Sequence, residues 1–176
     1  GYAERVNNLR VMGMAANNLG IAYHASGMIS KAQEYFNKSI ELSKKTSHVQ
    51  NYIANNINLG ILFMEKGQFR KAQYLFIEAL EKAEQVDSLH KLCVAQLNLG
   101  DLMYEIGDFD KAQNYYHKSI NVAEKCNLPV EAAIGNLGMV RIHMKLGSYE
   151  EVPSILDDVY QVFKEAEEIT YVSDCY

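Results

Sequence analysis

The chain of 176 residues has no tryptophan, two prolines and three cysteines, and its 17 lysines and arginines are outnumbered by 22 aspartates and glutamates. Each scarcity excludes something. With only Pro129 and Pro153 to interrupt it, most of the chain is free to be helical, since proline removes a backbone donor and breaks helix interiors. Cys93, Cys126 and Cys175 are odd in number and at no metal-like spacing, which argues against a disulfide framework and suits a reducing, cytoplasmic setting. His90 and Cys93 would share a helical face, but no second pair accompanies them, so no metal and no other cofactor is expected. The formal net charge of -5 removes a general electrostatic drive toward nucleic acid or an anionic membrane. No apolar run approaches the roughly 20 residues that span a bilayer, and no signal peptide opens the chain, so a soluble protein is expected. Phosphate loops and nucleophile elbows are absent, and His24, His48, His90, His117 and His143 are scattered without a matching acid or nucleophile. No catalytic residue is expected.

What is there is a repeat. Leu97-Asn98-Leu99-Gly100, then Gly107, Ala112 and Tyr116, is matched one period of forty earlier by Leu59-Gly60, Gly67, Ala72 and Phe76, and again by Leu19-Gly20, Gly27, Ala32 and Phe36. Asn7, Ser47, Asp87 and Asn127 share another column and read as helix N-caps, because a short side-chain oxygen can accept a free first-turn N–H. Pro129 fits a helix start just beyond one of them. These caps place first helices at about 8–26, 48–66, 88–106 and 128–146. Gly27, Gly67, Gly107 and Gly147 end those helices in the left-handed region. Second helices follow at about 29–45, 69–85, 109–125 and 150–166, with apolar residues such as Ala72, Phe76, Ala79 and Ala83 at helical spacing.

The pattern L-G-x6-G-x4-A-x3-Y/F resembles the tetratricopeptide repeat (TPR), in a long form of about forty residues rather than thirty-four. The resemblance implies an all-α, right-handed superhelical solenoid of antiparallel helix hairpins. Its single array spans residues 1–176: 1–7 end a preceding helix, 8–47, 48–87 and 88–127 are repeats, 128–167 is a degenerate fourth, and 168–176 start a further helix. A chain that begins in one helix and stops in another reads as a piece of a longer array. Glycine at 20, 60 or 100 is expected to face alanine at 32, 72 or 112, letting the paired helices approach closely. The tryptophan common in the family is replaced by Ala16, Asn56, Gln96 and Asn136. In the fourth repeat, alignment on Gly147 pairs Val140 with Val152, and Ser148-x-x-Glu151 reads as a capping box opening an irregular last helix.

First helices line the concave surface in this family, so the resemblance implies a groove that binds a peptide or helix of a partner protein, as in a scaffold or adaptor. The alternative is a ligand- or peptide-sensing segment of a larger regulator such as a transcription factor, kinase or phosphatase. Asn18, Asn58 and Asn98 are the groove's main candidates, because asparagine is a poor helix former and its amide offers a donor and an acceptor to a ligand's main chain. Ile21, His24, Ile61, Met64, Asp101, Tyr104 and Arg141 extend the same face. The cationic clamp of chaperone-type relatives is not expected, since Met14, Asn17, Ala54, Ile57, Val94 and Leu97 stand in its places. Aromatic residues 35, 36, 76, 115 and 116 read as core. Self-association through exposed end helices is a further route to a partner.

Overall fold

The computed structural model describes residues 1–173, in eight helices: α1 (Tyr2–Ala25), α2 (Ile29–Lys45), α3 (Val49–Glu65), α4 (Phe69–Gln85), α5 (Leu89–Ile106), α6 (Phe109–Lys125), α7 (Pro129–Leu146) and α8 (Val152–Ser173). No strand occurs among the described residues. The helices form two compact units, residues 1–91 and 92–176. In the first, α1 pairs with α2 and α3 with α4, and α2 packs on α3. In the second, α6 packs on α7 and α7 on α8, with the α5 glycine Gly100 seated against α6.

Every junction between helices has the same backbone solution. A residue in the left-handed region donates its N–H three residues back, and the next residue donates five back. Thus Gly27 reaches the His24 carbonyl at 2.9 Å and Met28 that of Tyr23 at 2.8 Å, and Ser47 reaches Lys44 at 3.3 Å and His48 reaches Ser43 at 2.9 Å. This Schellman closure satisfies carbonyls that the last helical turn would leave open. Inside hairpins the left-handed residue is glycine, as expected. Between hairpins it is Ser47 (φ 51), Asp87 (φ 50) or Asn127 (φ 53). The column read as N-caps therefore closes the preceding helix instead. Aspartate and asparagine tolerate this region better than other L-residues, for which it costs about 1–2 kcal/mol. Asn7 closes nothing, since α1 runs through it unbroken.

The glycines at 20, 60 and 100 do make room, but for an aromatic ring. A Cβ on Gly20 would lie 2.5 Å from the Phe36 ring, one on Gly60 2.4 Å from Phe76, and one on Gly100 2.5 Å from Tyr116. Their nearest neighbours are these rings rather than the expected alanines, although Ala32, Ala72 and Ala112 are all fully buried. Phe36, Phe76 and Tyr116 are buried too, whereas Tyr35 is half-buried and stacks on Tyr23 with centroids 5.3 Å apart.

The fourth hairpin departs from the others. Gly147 closes α7 in the left-handed region, but α8 starts only at Val152, so Ser148 is not its cap. The delay puts Pro153 in the first turn, where a missing N–H leaves no intrahelical bond unmade. The expected helix start at 168 falls inside α8, which continues to Ser173; the rest of that segment lies outside the described residues.

Small polar groups supplement the apolar contacts. The Ser39 hydroxyl donates to the Gly13 carbonyl at 2.6 Å, and the Ser119 hydroxyl to the Cys93 carbonyl at 3.1 Å, the same two columns eighty residues apart. Between hairpins, the Asn51 amide donates to Ser39 at 3.0 Å and to Ser43 at 2.8 Å, all buried. His48 caps α3, its Nδ1 accepting the Asn51 N–H at 3.2 Å.

Two predictions follow from this packing. Gly60→Ala destabilises the chain by about 1–3 kcal/mol despite alanine's better helix propensity, because the buried Phe76 ring cannot swing away. Urea unfolding measures the loss, and adding Phe76→Leu recovers part of it. Burial, helped by the charge on Arg10, holds the His48 imidazole below its usual range. Its unfolded form thus takes up a proton first as pH falls, so the stability it contributes is complete above about pH 6.5 and declines below. Protonation also removes the acceptor that caps α3. From pH 7.5 to 5.5 the thermal midpoint of wild type therefore falls more than that of His48→Asn, which keeps a cap that does not titrate.

Candidate functional site

The expected face lies on the first helix of each hairpin and is taken unit by unit. In the first unit Asn18 and Ile21 are exposed on α1, and Asn58, Ile61 and Met64 are half-buried on α3. An amide chain joins the two helices: Asn58 donates to Asn17 Oδ1 at 3.1 Å, and Asn17 donates to Asn18 Oδ1 at 3.2 Å. One turn further along, His24 Nε2 lies 2.7 Å from Glu65 Oε2. The structure thus brings Asn18, Asn58 and His24 into contacts between α1 and α3 through Asn17 and Glu65, two residues outside the expected set. Asn17 stands in one of the places that the cationic clamp of chaperone-type relatives would occupy. The recurrence of Glu65 as Glu105 one period later is the signal that could have found it.

In the second unit the same columns carry charge. Arg141 of α7 reaches Asp101 Oδ1 at 2.8 Å and Glu105 Oε1 at 3.2 Å, both on α5, and its guanidinium sits 4.1 Å from the Tyr104 ring centroid. The planar guanidinium can satisfy two carboxylates and stack at once, which an ammonium cannot. Asp101 also accepts from the Tyr116 hydroxyl at 2.8 Å. Burial, reinforced by the Asp101 charge, pushes the Tyr116 hydroxyl far above its usual range, so it remains a donor. The Tyr116 ring is core, as the sequence suggests, and its oxygen orients the face.

Asn98 behaves differently from Asn58. Its amide donates to the Val94 carbonyl of its own helix at 2.8 Å. The fourth place in the asparagine column is Gly138, where a Cβ would meet the Tyr116 ring at 2.5 Å. The column is therefore one of position rather than of a shared hydrogen-bond pattern. An amide has two donor hydrogens and two acceptor lone pairs, so each retains capacity beyond the bond it makes.

Among the described residues no group of three or more His, Cys, Asp or Glu side chains could hold a metal ion. Cys93 is buried in the core with Sγ 3.0 Å from Ser119 Oγ, and burial raises its thiol above the usual range, which makes it a packing residue rather than a ligand or nucleophile. Cys175 lies outside the described residues. No described helix is long and apolar enough to cross a membrane.

Among solved structures, aspartyl phosphate phosphatase F from Bacillus subtilis matches with a TM-score of 0.81 at 16% identity, over 94% of this chain and 43% of that one. A Rap protein complexed with competence and sporulation factor matches at 0.80 and 17% identity, over 97% and 46%. A signal-transduction ATPase of the STAND type with a tetratricopeptide repeat sensor, from Pyrococcus horikoshii, matches at 0.75 and 17%, over 94% and 26%. These likenesses are of fold, and the chain spans less than half the length of each protein. No curated protein sequence matches. The family model for the MalT-like TPR region matches residues 5–174, and the chain belongs to that family.

Proposed function

We propose that the chain is a non-catalytic binding module whose first-helix faces receive a peptide or helical segment of a partner protein, in the manner of a scaffold or adaptor. The observation that carries this reading is that the polar groups of these faces are held by contacts between successive first helices yet stay partly open. Asn58 is held by Asn17, His24 by Glu65, and Arg141 by Asp101 and Glu105, with exposed Ile21 and half-buried Ile61 and Met64 between them. Side chains fixed before a ligand arrives lose less freedom on binding. Asn18, Asn58 and Asn98 would engage the ligand main chain, and Asp101, Tyr104 and Arg141 its side chains. A reducing, cytoplasmic setting suits the buried thiol of Cys93.

A second reading, the sensing segment of a larger regulator, is favoured by the company the fold keeps. The matched structures include a Rap protein complexed with competence and sporulation factor, a Rap conjugation gene regulator in complex with the Phr* peptide, and a protein with a tetratricopeptide repeat sensor. Both readings use the same faces.

Replacing Asn58 and Asn98 together by alanine weakens binding about five- to a hundredfold, at about 0.5–1.5 kcal/mol per lost hydrogen bond, and leaves the fold intact. Isothermal titration against peptides selected on the wild-type chain measures the loss, with circular dichroism as the folding control. Tyr74→Ala, on the exposed side of α4, keeps wild-type affinity. A folded double variant that binds every selected peptide as tightly as wild type would sink the assignment.

A further inference from the structure

The second and fourth hairpins differ at one position of their first helices, and the fourth holds a cavity there. In the second hairpin the Tyr52 side chain of α3 reaches both α2 and α4: its hydroxyl donates to Glu78 Oε2 at 2.9 Å, and Lys44 Nζ stands 5.4 Å from its ring centroid. Two repeats on, the same columns hold Ala132 for Tyr52, Asp158 for Glu78 and Glu124 for Lys44. Those three residues line a cavity of about 300 Å³ among α6, α7 and α8. Ala133, in the column of the fully buried Ile53, widens the space, and Val159 and Val162 give it apolar walls. Asn136 adds an amide to the lining, in the column of Asn56. The side chains of Glu124, Asn136 and Asp158 have no hydrogen-bond or ion-pair partner among the described residues.

We propose that this cavity binds a small phenolic amine, a hydroxyphenyl group joined by a short chain to an ammonium, in the space that the Tyr52 side chain fills two repeats earlier. The ring would lie against Ala132, Ala133 and Val159, and its hydroxyl would donate to Asp158 as Tyr52 donates to Glu78. The reversed charge at Glu124 selects the rest of the ligand. An ammonium near a ring face, as Lys44 is to Tyr52, is attracted by the ring electrons, whereas a carboxylate in that place repels them unless the ligand brings a cation of its own. Lys44 and Glu78 also offset each other in charge, while Glu124 and Asp158 present two negative charges to one cavity, so a cationic phenol fits better than a neutral one. The volume lies at the lower end of the range of small-molecule sites. None of the residues assigned to the partner-binding face takes part, so the proposal stands or falls apart from that reading.

NMR titration of this chain with tyramine, 4-ethylphenol and phenethylamine tests the site, with circular dichroism as the folding control for variants. Tyramine is expected to bind saturably with a dissociation constant of about 1 mM or below, and the probes that lack its ammonium or its hydroxyl about tenfold more weakly. Ala132→Tyr, which puts a ring of the chain's own back into the cavity, is expected to abolish tyramine binding. Ala132→Leu, the residue that the same column carries as Leu92, serves if that variant fails to fold. Glu124→Lys is expected to remove the preference for tyramine over 4-ethylphenol, since the chain then supplies the cation. No saturable binding of tyramine, equal affinity for the three probes, or undiminished tyramine binding by a folded Ala132 variant overturns the proposal.

Discussion

A ring pressed onto bare backbone is the contact on which each of the first three hairpins depends. Gly20, Gly60 and Gly100 sit within the first helices, where glycine costs about 1 kcal/mol relative to alanine. The cost is offset by a fully buried aromatic side chain, Phe36, Phe76 or Tyr116, whose Cδ1–Cε1 side occupies the space of the missing Cβ. One turn before each ring, the alanines at 32, 72 and 112 are fully buried. In the last hairpin Val140 fills the glycine's place and Leu156, not an aromatic, stands in the ring's column, exposed rather than buried. There α8 also starts late. Loss of the contact and loss of regularity coincide.

The helices were legible because the repeat states each signal several times. Apolar spacing and the glycine column place α2, α4 and α6 to the residue. The residues between hairpins were read for the wrong task, since serine, aspartate and asparagine serve both at N-caps and in the left-handed region, and composition does not separate the two. Glycine's partner was misread for a related reason. Small residues at matching places suggest each other, whereas the ring that fills a glycine's space lies a full turn further along the second helix. Pro153 gave the opposite difficulty: its cost depends on where α8 begins, which no neighbouring residue declares.

Of the candidate face, the positions were legible and the bonding was not. Periodicity alone puts Asp101 and Arg141 forty residues apart in one column, and the structure joins them at 2.8 Å. The same periodicity suggested that three asparagines act alike, yet Asn58 bonds to a neighbouring helix and Asn98 to its own. Asn58 has the Asn17 oxygen within reach on α1, whereas the bond that Asn98 makes is to a carbonyl one turn back on its own helix. Glu65 and Glu105 read as solvated surface, as a lone glutamate on a helix does, until a side chain from an adjoining repeat, His24 or Arg141, reaches it.

The pairing of each helix with its sequence neighbours also governs how the chain acquires its structure. The inter-helix hydrogen bonds described within either unit span no more than 41 residues, and many are shorter, such as the 26 between Ser39 and Gly13. Closing loops of this length costs little entropy, and lengthening the array adds loops of the same size rather than longer ones. Contact order therefore falls as repeats are added, and a hairpin can form before its neighbours exist. A chain emerging from the ribosome can accordingly settle one hairpin at a time.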